Sequence, residues 1–224
     1  MNFFEQRLAF ITKYLPSYIE GVGLTLLLSA VAVFFGCLLG LLVARARLGK
    51  SKPVSLVATA FVEVIRGTPM LVQLTMFYFT MIQIIPPQYT LLRDKILLGG
   101  IAISINSAAY ISEVIRSGLQ SVDKGQTEAA RSLGLNESQT MRYIILPQAV
   151  KNILPALVNE FVTLIKESSI VSFIGLHDLM YYANAARTAT YKAFEPLLYA
   201  AFIYFVLTFT LSKVMAAVER RLDR

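Results

Sequence analysis

The chain has 224 residues, of which 56% are hydrophobic and only 16% charged, with a formal net charge of +7. That composition is too apolar for a soluble domain to cover with water-compatible surface, and its basic residues crowd the ends of oily runs instead of forming one polar face. A soluble domain is excluded, nucleic acid is a poor partner, and an integral membrane protein is left.

The first twenty residues carry Glu5, Arg7, Lys13 and Glu20. The apolar run behind them is too long for a signal-peptide core, so no cleaved signal is implied. Val22 to Ala44 contains no charge, and a spanning helix needs about 20 mostly apolar residues because lipid offers backbone groups no partners. Arg45, Arg47, Lys50 and Lys52 follow, as on a cytoplasmic flank. Gly36 and Gly40 form a G-x-x-x-G pattern that permits close helix packing. Cys37, the only cysteine, can form no internal disulfide and reads as a small packing residue.

The stretch "PVSLVATAFVEVIRGTPMLVQLTMFYFTMIQIIPP" would be roughly 50 Å long as one straight helix, well beyond a hydrocarbon core of about 30 Å. It should break at Gly67-Thr68-Pro69, because proline removes a donor and disfavours helix at the preceding residue. Val54 to Arg66 would then lie partly along the interface and Met70 to Ile85 would cross. Pro86-Pro87 ends the segment. A third span runs from about Ile96 into Ile111, with Arg93, Asp94 and Lys95 at its start. Glu113 and Arg116 near its end, like Glu63 and Arg66, are spaced for pairing within one helix. A polar insert covers about 117–147. A fourth helix runs from near Gln148 to about Phe173, and a fifth from about Leu197 to Val218 before a basic tail with Arg220, Arg221 and Arg224.

Five spans place the ends on opposite sides. The turn of Arg45 to Lys52, the insert and the tail share one side, and the other side has fewer basic residues, chiefly Arg7, Lys13, Arg93, Lys95, Arg187 and Lys192, so the positive-inside rule makes the first side cytoplasmic and the amino terminus external. Pro86 to Lys95 and roughly Gly175 to Glu195 are external on the same reading.

Within the insert, Glu128 to Leu133 favours helix, and Gly134 suits the left-handed position that ends one. Asn136 and Gln139 fit a capping box for a second helix with Met141, Ile144 and Ile145 on its apolar face. Neither helix can span. Physics alone allows two readings: a loop resting on the headgroups, or a lever passing a push from a soluble partner into the bundle.

The order Glu128-Ala129-Ala130, Gly134, then Ile144, Leu146 and Pro147 resembles the "EAA" signature of ATP-binding cassette importer membrane subunits. "SAAYISEVIRSGLQSVDKGQTEAARSLGL" and "EVIRGTPMLVQL" resemble the polar amino acid permeases of that family, such as those for histidine, glutamine, glutamate or arginine. The resemblance covers nearly the whole chain and is strongest from Glu63 to about Leu176. Ser117 and Ser112 depart from the commoner glycine and alanine.

The resemblance implies an all-α, polytopic membrane fold of the type I importer class, with a single permease domain over 1–224. It implies a coupling helix whose Glu128, Ala129, Ala130, Leu133 and Gly134 dock on a cytoplasmic ATPase subunit that binds the ATP and Mg. It further implies a second permease chain, identical or similar, an external amino-acid-binding protein, and residence in a bacterial inner membrane.

No catalytic site is read here. "RLGKSKP" ends like a phosphate-cradling loop, but Ala44 stands where its first glycine belongs and no strand precedes it. His177, the single histidine, has no companions for a metal site. The fourth helix is more informative: "NILPALVNEFVTLIKESSIVSFIG" carries Asn159, Glu160, Thr163, Lys166, Glu167, Ser168 and Ser169 among apolar neighbours. Asn159, Thr163 and Lys166 share one face, with Glu160, Thr163 and Glu167 adjoining, while Phe161, Val162 and Ile165 turn away. Ionisable groups at membrane depth are costly. Either Glu160 fixes packing against another helix, or Asn159, Glu160, Thr163, Lys166, Ser168 and Ser169 line a path in which Glu160 and Asn159 bind the α-amino group of a zwitterionic amino acid. "NEFVTLIKESS" is similar to a stretch typical of the permeases, although Glu167 replaces the usual aspartate or asparagine. A secondary transporter using Glu160 as an ion site, and a scaffold with no path, are the competing functions.

Overall fold

The structure, a computed structural model, describes the backbone of residues 3–222 and the side chains of Glu5 and residues 10–217. The side chains of Arg7, Arg220 and Arg221, and the whole of Arg224, lie outside the described residues.

Helices account for every regular element among these residues: α1 Phe3–Leu48, α2 Lys52–Gly67, α3 Met70–Ile84, α4 Lys95–Gln120, α5 Lys124–Ser132, α6 Glu137–Thr140, α7 Leu146–Glu167, α8 Leu179–Thr190 and α9 Glu195–Leu222. A 3₁₀ turn precedes α4, a wide π turn over Met141–Ile145 feeds α7, and a 3₁₀ segment, Ser168–Ile174, continues it. The break in the second apolar stretch falls where proline requires it, with Thr68 in extended backbone at φ −121°, ψ 148°.

Helix α1 starts well before the expected span and carries Pro16 within it. Its 46 residues rise about 69 Å, more than a bilayer with its headgroups. Helix α8 was not anticipated; it occupies the expected outer loop, started by Asp178, whose Oδ1 accepts from the Tyr181 N–H at 2.9 Å.

Among the described residues three helices, α1, α4 and α9, are single stretches long and apolar enough to cross a membrane, and the broken pair of α2 and α3 makes a fourth candidate. Helix α7 is of spanning length, but Lys151, Glu160, Lys166 and Glu167 lower its apolarity, so the count of five rests on accepting a polar-striped helix.

The described residues form two compact units, each drawn from distant parts of the chain. The first gathers described residues from 1–32, 70–103 and 163–210. Phe10, Tyr18, Leu179, Ala183, Ala186 and Ala200 form its core cluster. Glu20, Thr90, Arg93 to Ile96 and Gly175 to His177 line a single depression here, so these segments share one side. Asp178 is fully buried beside Thr25 and Tyr204. Burial pushes the Asp178 carboxyl up to about 6, partly offset by the backbone N–H groups it accepts.

The second unit gathers described residues from 33–69, 104–162 and 211–224. Here α1 and α4 approach closely because Gly36 and Gly40 lack side chains. A Cβ on Gly36 would lie 2.5 Å from Ser107 Oγ, and one on Gly40 3.0 Å from the Ala108 carbonyl. Val122, Ile145, Ala149 and Ile153 pack the end of α4 against the start of α7. The basic turn after α1 meets the insert, with Lys50 Nζ 3.9 Å from Glu137 Oε2, which agrees with placing both on one side.

Candidate functional site

Within the second unit, α2, α4 and α7 surround an open-sided cavity of about 410 Å³. Each helix offers a face dictated by its own periodicity. Helix α7 contributes Asn152, Ala156 and Glu160, four residues apart and therefore stacked on one side. Helix α4 contributes Tyr110, Glu113 and Ser117 at steps of three and four, with Ser121 just past its end, and α2 contributes Arg66 from its last turn.

Glu113 is the electrostatic centre of this region. Its carboxylate accepts from Arg47 Nη1 at 2.6 Å and from Arg116 on its own helix, and Arg66 Nη1 lies 3.9 Å away. The pairing of Glu113 with Arg116 follows the spacing read from the sequence. Arg66 departs from it: the expected partner was Glu63, yet Arg66 reaches Glu113 and lies over the Tyr110 ring at 5.5 Å. Three guanidinium groups around one carboxylate leave a local surplus of positive charge, and Arg66, the most exposed of the three, faces the cavity. Glu160 supplies a negative group on the same lining. Between them Asn152 Nδ2 donates to Ser121 Oγ at 2.8 Å, a neutral polar floor.

The expected stripe on α7 is distributed between the two units. Asn159, exposed, and Glu160, half-buried, belong to the second; Thr163, Lys166, Ser168 and Ser169 belong to the first. Ser168 is fully buried and its hydroxyl donates to the Ile165 carbonyl at 3.0 Å. The apolar side of the helix is buried at Val162, Leu164 and Ile165, while Asn159, Lys166 and Glu167 are exposed. Tyr110, Ser121 and Asn152 were not singled out from sequence, and Ser117 only as a departure from glycine, although their regular steps were available as a signal. Their small or uncharged side chains drew less notice than the charges beside them.

The insert forms as its local signals require. Asn136 and Gln139 complete the capping box, with both hydrogen bonds at 2.9 Å. Helix α5 closes in a Schellman turn: the Leu135 N–H reaches the Ala130 carbonyl at 3.1 Å and the Gly134 N–H that of Arg131 at 3.0 Å. Gly134 has φ +88°, a conformation cheap only for glycine. Glu128, Ala129, Leu133 and Gly134 are exposed, Leu133 at 81%, whereas Ala130 is buried. Ala130 therefore packs inward and the other four form the outward face.

A helical membrane chain with a charged cavity between its helices, and a capped polar insert between two of them, has the architecture of a membrane transport component. The description "binding-protein-dependent transport system inner membrane component" belongs to the family whose profile matches residues 36–224. This chain is a member of that family, as a non-catalytic membrane permease subunit of an ATP-binding cassette importer.

It is 42% identical over 208 residues to the arginine transport system permease protein ArtQ of Bacillus subtilis (strain 168), covering 93% of each chain. It is also 42% identical to the putative glutamine transport system permease protein GlnP of Rickettsia conorii, covering 95% of this chain and 97% of that one. A solved structure described as an amino acid ABC transporter with histidines shares its fold at a TM-score of 0.87 and 46% identity, covering 99% of both chains. The inward-facing MetNI methionine transporter is similar in fold alone, at a TM-score of 0.76 and 20% identity.

Proposed function

We propose that the cavity of α2, α4 and α7 receives a polar amino acid during uptake, and that a separate ATPase drives its passage by alternating access. The observation that carries this reading is the presence of Arg66 and Glu160 on one 410 Å³ cavity. A zwitterion presents both charges, and two fixed counter-charges in a low-dielectric site bind it better than either alone. Arg66 takes the α-carboxylate in this scheme. Glu160, with Asn159 beside it, takes the α-ammonium, and Asn152 and Ser121 meet polar side-chain atoms. Thr163, Lys166 and Ser169 continue the polar stripe along the path, and Ser168 supports that helix from within. Relatives named as arginine, glutamine and amino acid transporters support a cargo of this class.

Exposed Asn159, Lys166 and Glu167 on a membrane helix cannot face hydrocarbon cheaply. Their need for a polar neighbour supports a second permease chain lining a shared path. Glu128, Ala129, Leu133 and Gly134 form the face that docks on the cytoplasmic ATPase subunit, which binds ATP and Mg. An external binding protein delivers the cargo, the insert and the basic turn lie in the cytoplasm, and the amino terminus lies outside.

The test is a reconstituted complex with its ATPase and binding protein, assayed with radiolabelled arginine and glutamine. Glu160→Gln and Arg66→Gln should each reduce uptake at least roughly tenfold, since truncating one partner of a desolvated charge pair costs about 2 kcal/mol or more. Unchanged uptake in both variants, with intact melting temperatures, would reject the site.

A further inference from the structure

The two counter-charges on the cavity stand on supports of unequal firmness. Glu160 belongs to α7, whose start is locked to the end of α4. Val122, Ile145, Ala149 and Ile153 form a buried cluster there, and a Cβ on Gly118 would collide with the Ile153 side chain. Helices packed this closely do not shift without opening voids.

Arg66 has no such support. Among the described residues of α2, Val62 alone is buried. Beyond it only Ile65 is half-buried, and the rest of 63–69 is exposed. The guanidinium is not held by its own contacts either. Its Nη1 lies 3.9 Å from Glu113, beyond hydrogen-bonding reach, and Glu113 already accepts from Arg47 and Arg116. The backbone of the last turn of α2 therefore sets where Arg66 stands.

That turn is weakly tied. Pro69 has no N–H, so a helical bond back to the Ile65 carbonyl cannot form, and Thr68 is extended at φ −121°, ψ 148°. The Thr68 hydroxyl donates to the Val64 carbonyl at 2.8 Å. Gly67, the last helical residue, stands between Arg66 and Thr68. No neighbour demands a glycine there, since a Cβ would meet nothing within 4 Å. What glycine supplies at an open helix end is a backbone that leaves the helical conformation easily. Sparse burial marks a segment of low local stability, and hinges are commonly a few residues at the end of an element.

On the reading of the cavity given above, we propose that Gly67 is a positioning residue for transport. It is the pivot on which the last turn of α2 brings Arg66 to the cargo carboxylate and withdraws it, while Glu160 stays in place. Cargo is held when both charges reach it. Withdrawing one weakens binding at least roughly tenfold, so a zwitterion is released without disturbing the packing of α7.

The test is uptake of radiolabelled arginine and glutamine by the complex reconstituted with its ATPase and binding protein. Gly67→Ala fits the open space, and alanine favours helix over glycine, so the melting temperature should hold or rise slightly. The same preference stiffens the pivot. The maximal rate should fall roughly fivefold while KM changes by less than about twofold. Adding Thr68→Gly, which returns a glycine one position along, should restore most of the rate. An unchanged rate in Gly67→Ala would overturn the proposal, as would a raised KM at constant rate, a lowered melting temperature, or no recovery with Thr68→Gly. Failure of the cavity reading looks different: Arg66→Gln and Glu160→Gln would both leave uptake intact, and the pivot would fall with it.

Discussion

Arg47 Nη1 donates to Glu113 Oε2 at 2.6 Å, joining the last turn of α1 to α4 across 66 residues of sequence. The Arg47 side chain is only 9% exposed and that of Glu113 18%, so neither charge can readily turn to water. Removing one partner of such a pair costs far more than replacing both, because the survivor is left charged and buried. Glu113→Gln should therefore destabilise the protein by about 3 kcal/mol, lowering the apparent melting temperature in detergent by roughly 6–12 °C. Adding Arg47→Met should recover most of that loss. A double variant as unstable as Glu113→Gln alone would show that Arg47 is not the group left stranded.

Gly36 sits against Ser107 with no room for a methyl group. Gly36→Ala should cost about 1–3 kcal/mol from overpacking, seen as lower yield and melting temperature. Ser107→Gly in the same chain should restore part of it, since the obstructing atoms belong to that side chain. If Ser107→Gly gives no relief, the close approach of α1 and α4 at this point is not what limits the alanine.

Gly134 differs from Gly36 because a Cβ there meets nothing within 4 Å and the constraint is the backbone alone, at φ +88°. A β-branched residue should strain the turn by about 1–2 kcal/mol and misdirect Leu133. Gly134→Val should weaken copurification of the ATPase subunit roughly tenfold, with the permease melting temperature little changed. Gly134→Asn, which tolerates the left-handed region, should bind nearly as well. Equal loss in both variants would point to a direct contact of the glycine instead of its conformation.

Asp178 gives stability a pH dependence of definite sign. Its carboxyl is raised from 3.8 to about 6 in the folded chain, so between these values the folded state holds a proton that the unfolded state has released. The associated stability is complete below about pH 4 and is lost as pH rises through 6, amounting to about 3 kcal/mol at the upper limit. Asp178→Asn keeps an acceptor for the Tyr181 N–H and should remove this component. Melting curves from pH 4 to 8 should then run flatter for the variant, and its advantage should grow with pH. Parallel curves for the two proteins would mean that the buried carboxyl is not the source.

The local features of this chain follow from signals a few residues long. Proline at 69 broke the second apolar stretch, Asn136 and Gln139 capped α6, and Gly134 closed α5. In each case the deciding interaction lies within about four positions along the backbone, and residue identity suffices. Helix α8 was missed because its Asp178 cap lies in a stretch without the long apolar run by which the other helices were found.

Which side chains meet across the bundle is a different matter. Arg66 found Glu113 instead of Glu63, and Tyr110, Ser121, Asn152 and Glu160 became one cavity, because the rotation of α2, α4 and α7 about their axes brought these faces together. Ala130 turned inward while its neighbours in the same signature faced out. Sequence determined the helices, their ends and their apolar and polar faces, since those depend on local hydrogen bonding and on hydrophobic periodicity. Only the tertiary structure decided which faces would confront each other, since that depends on close approaches such as the one at Gly36 and Ser107 and on charges brought together from far along the chain.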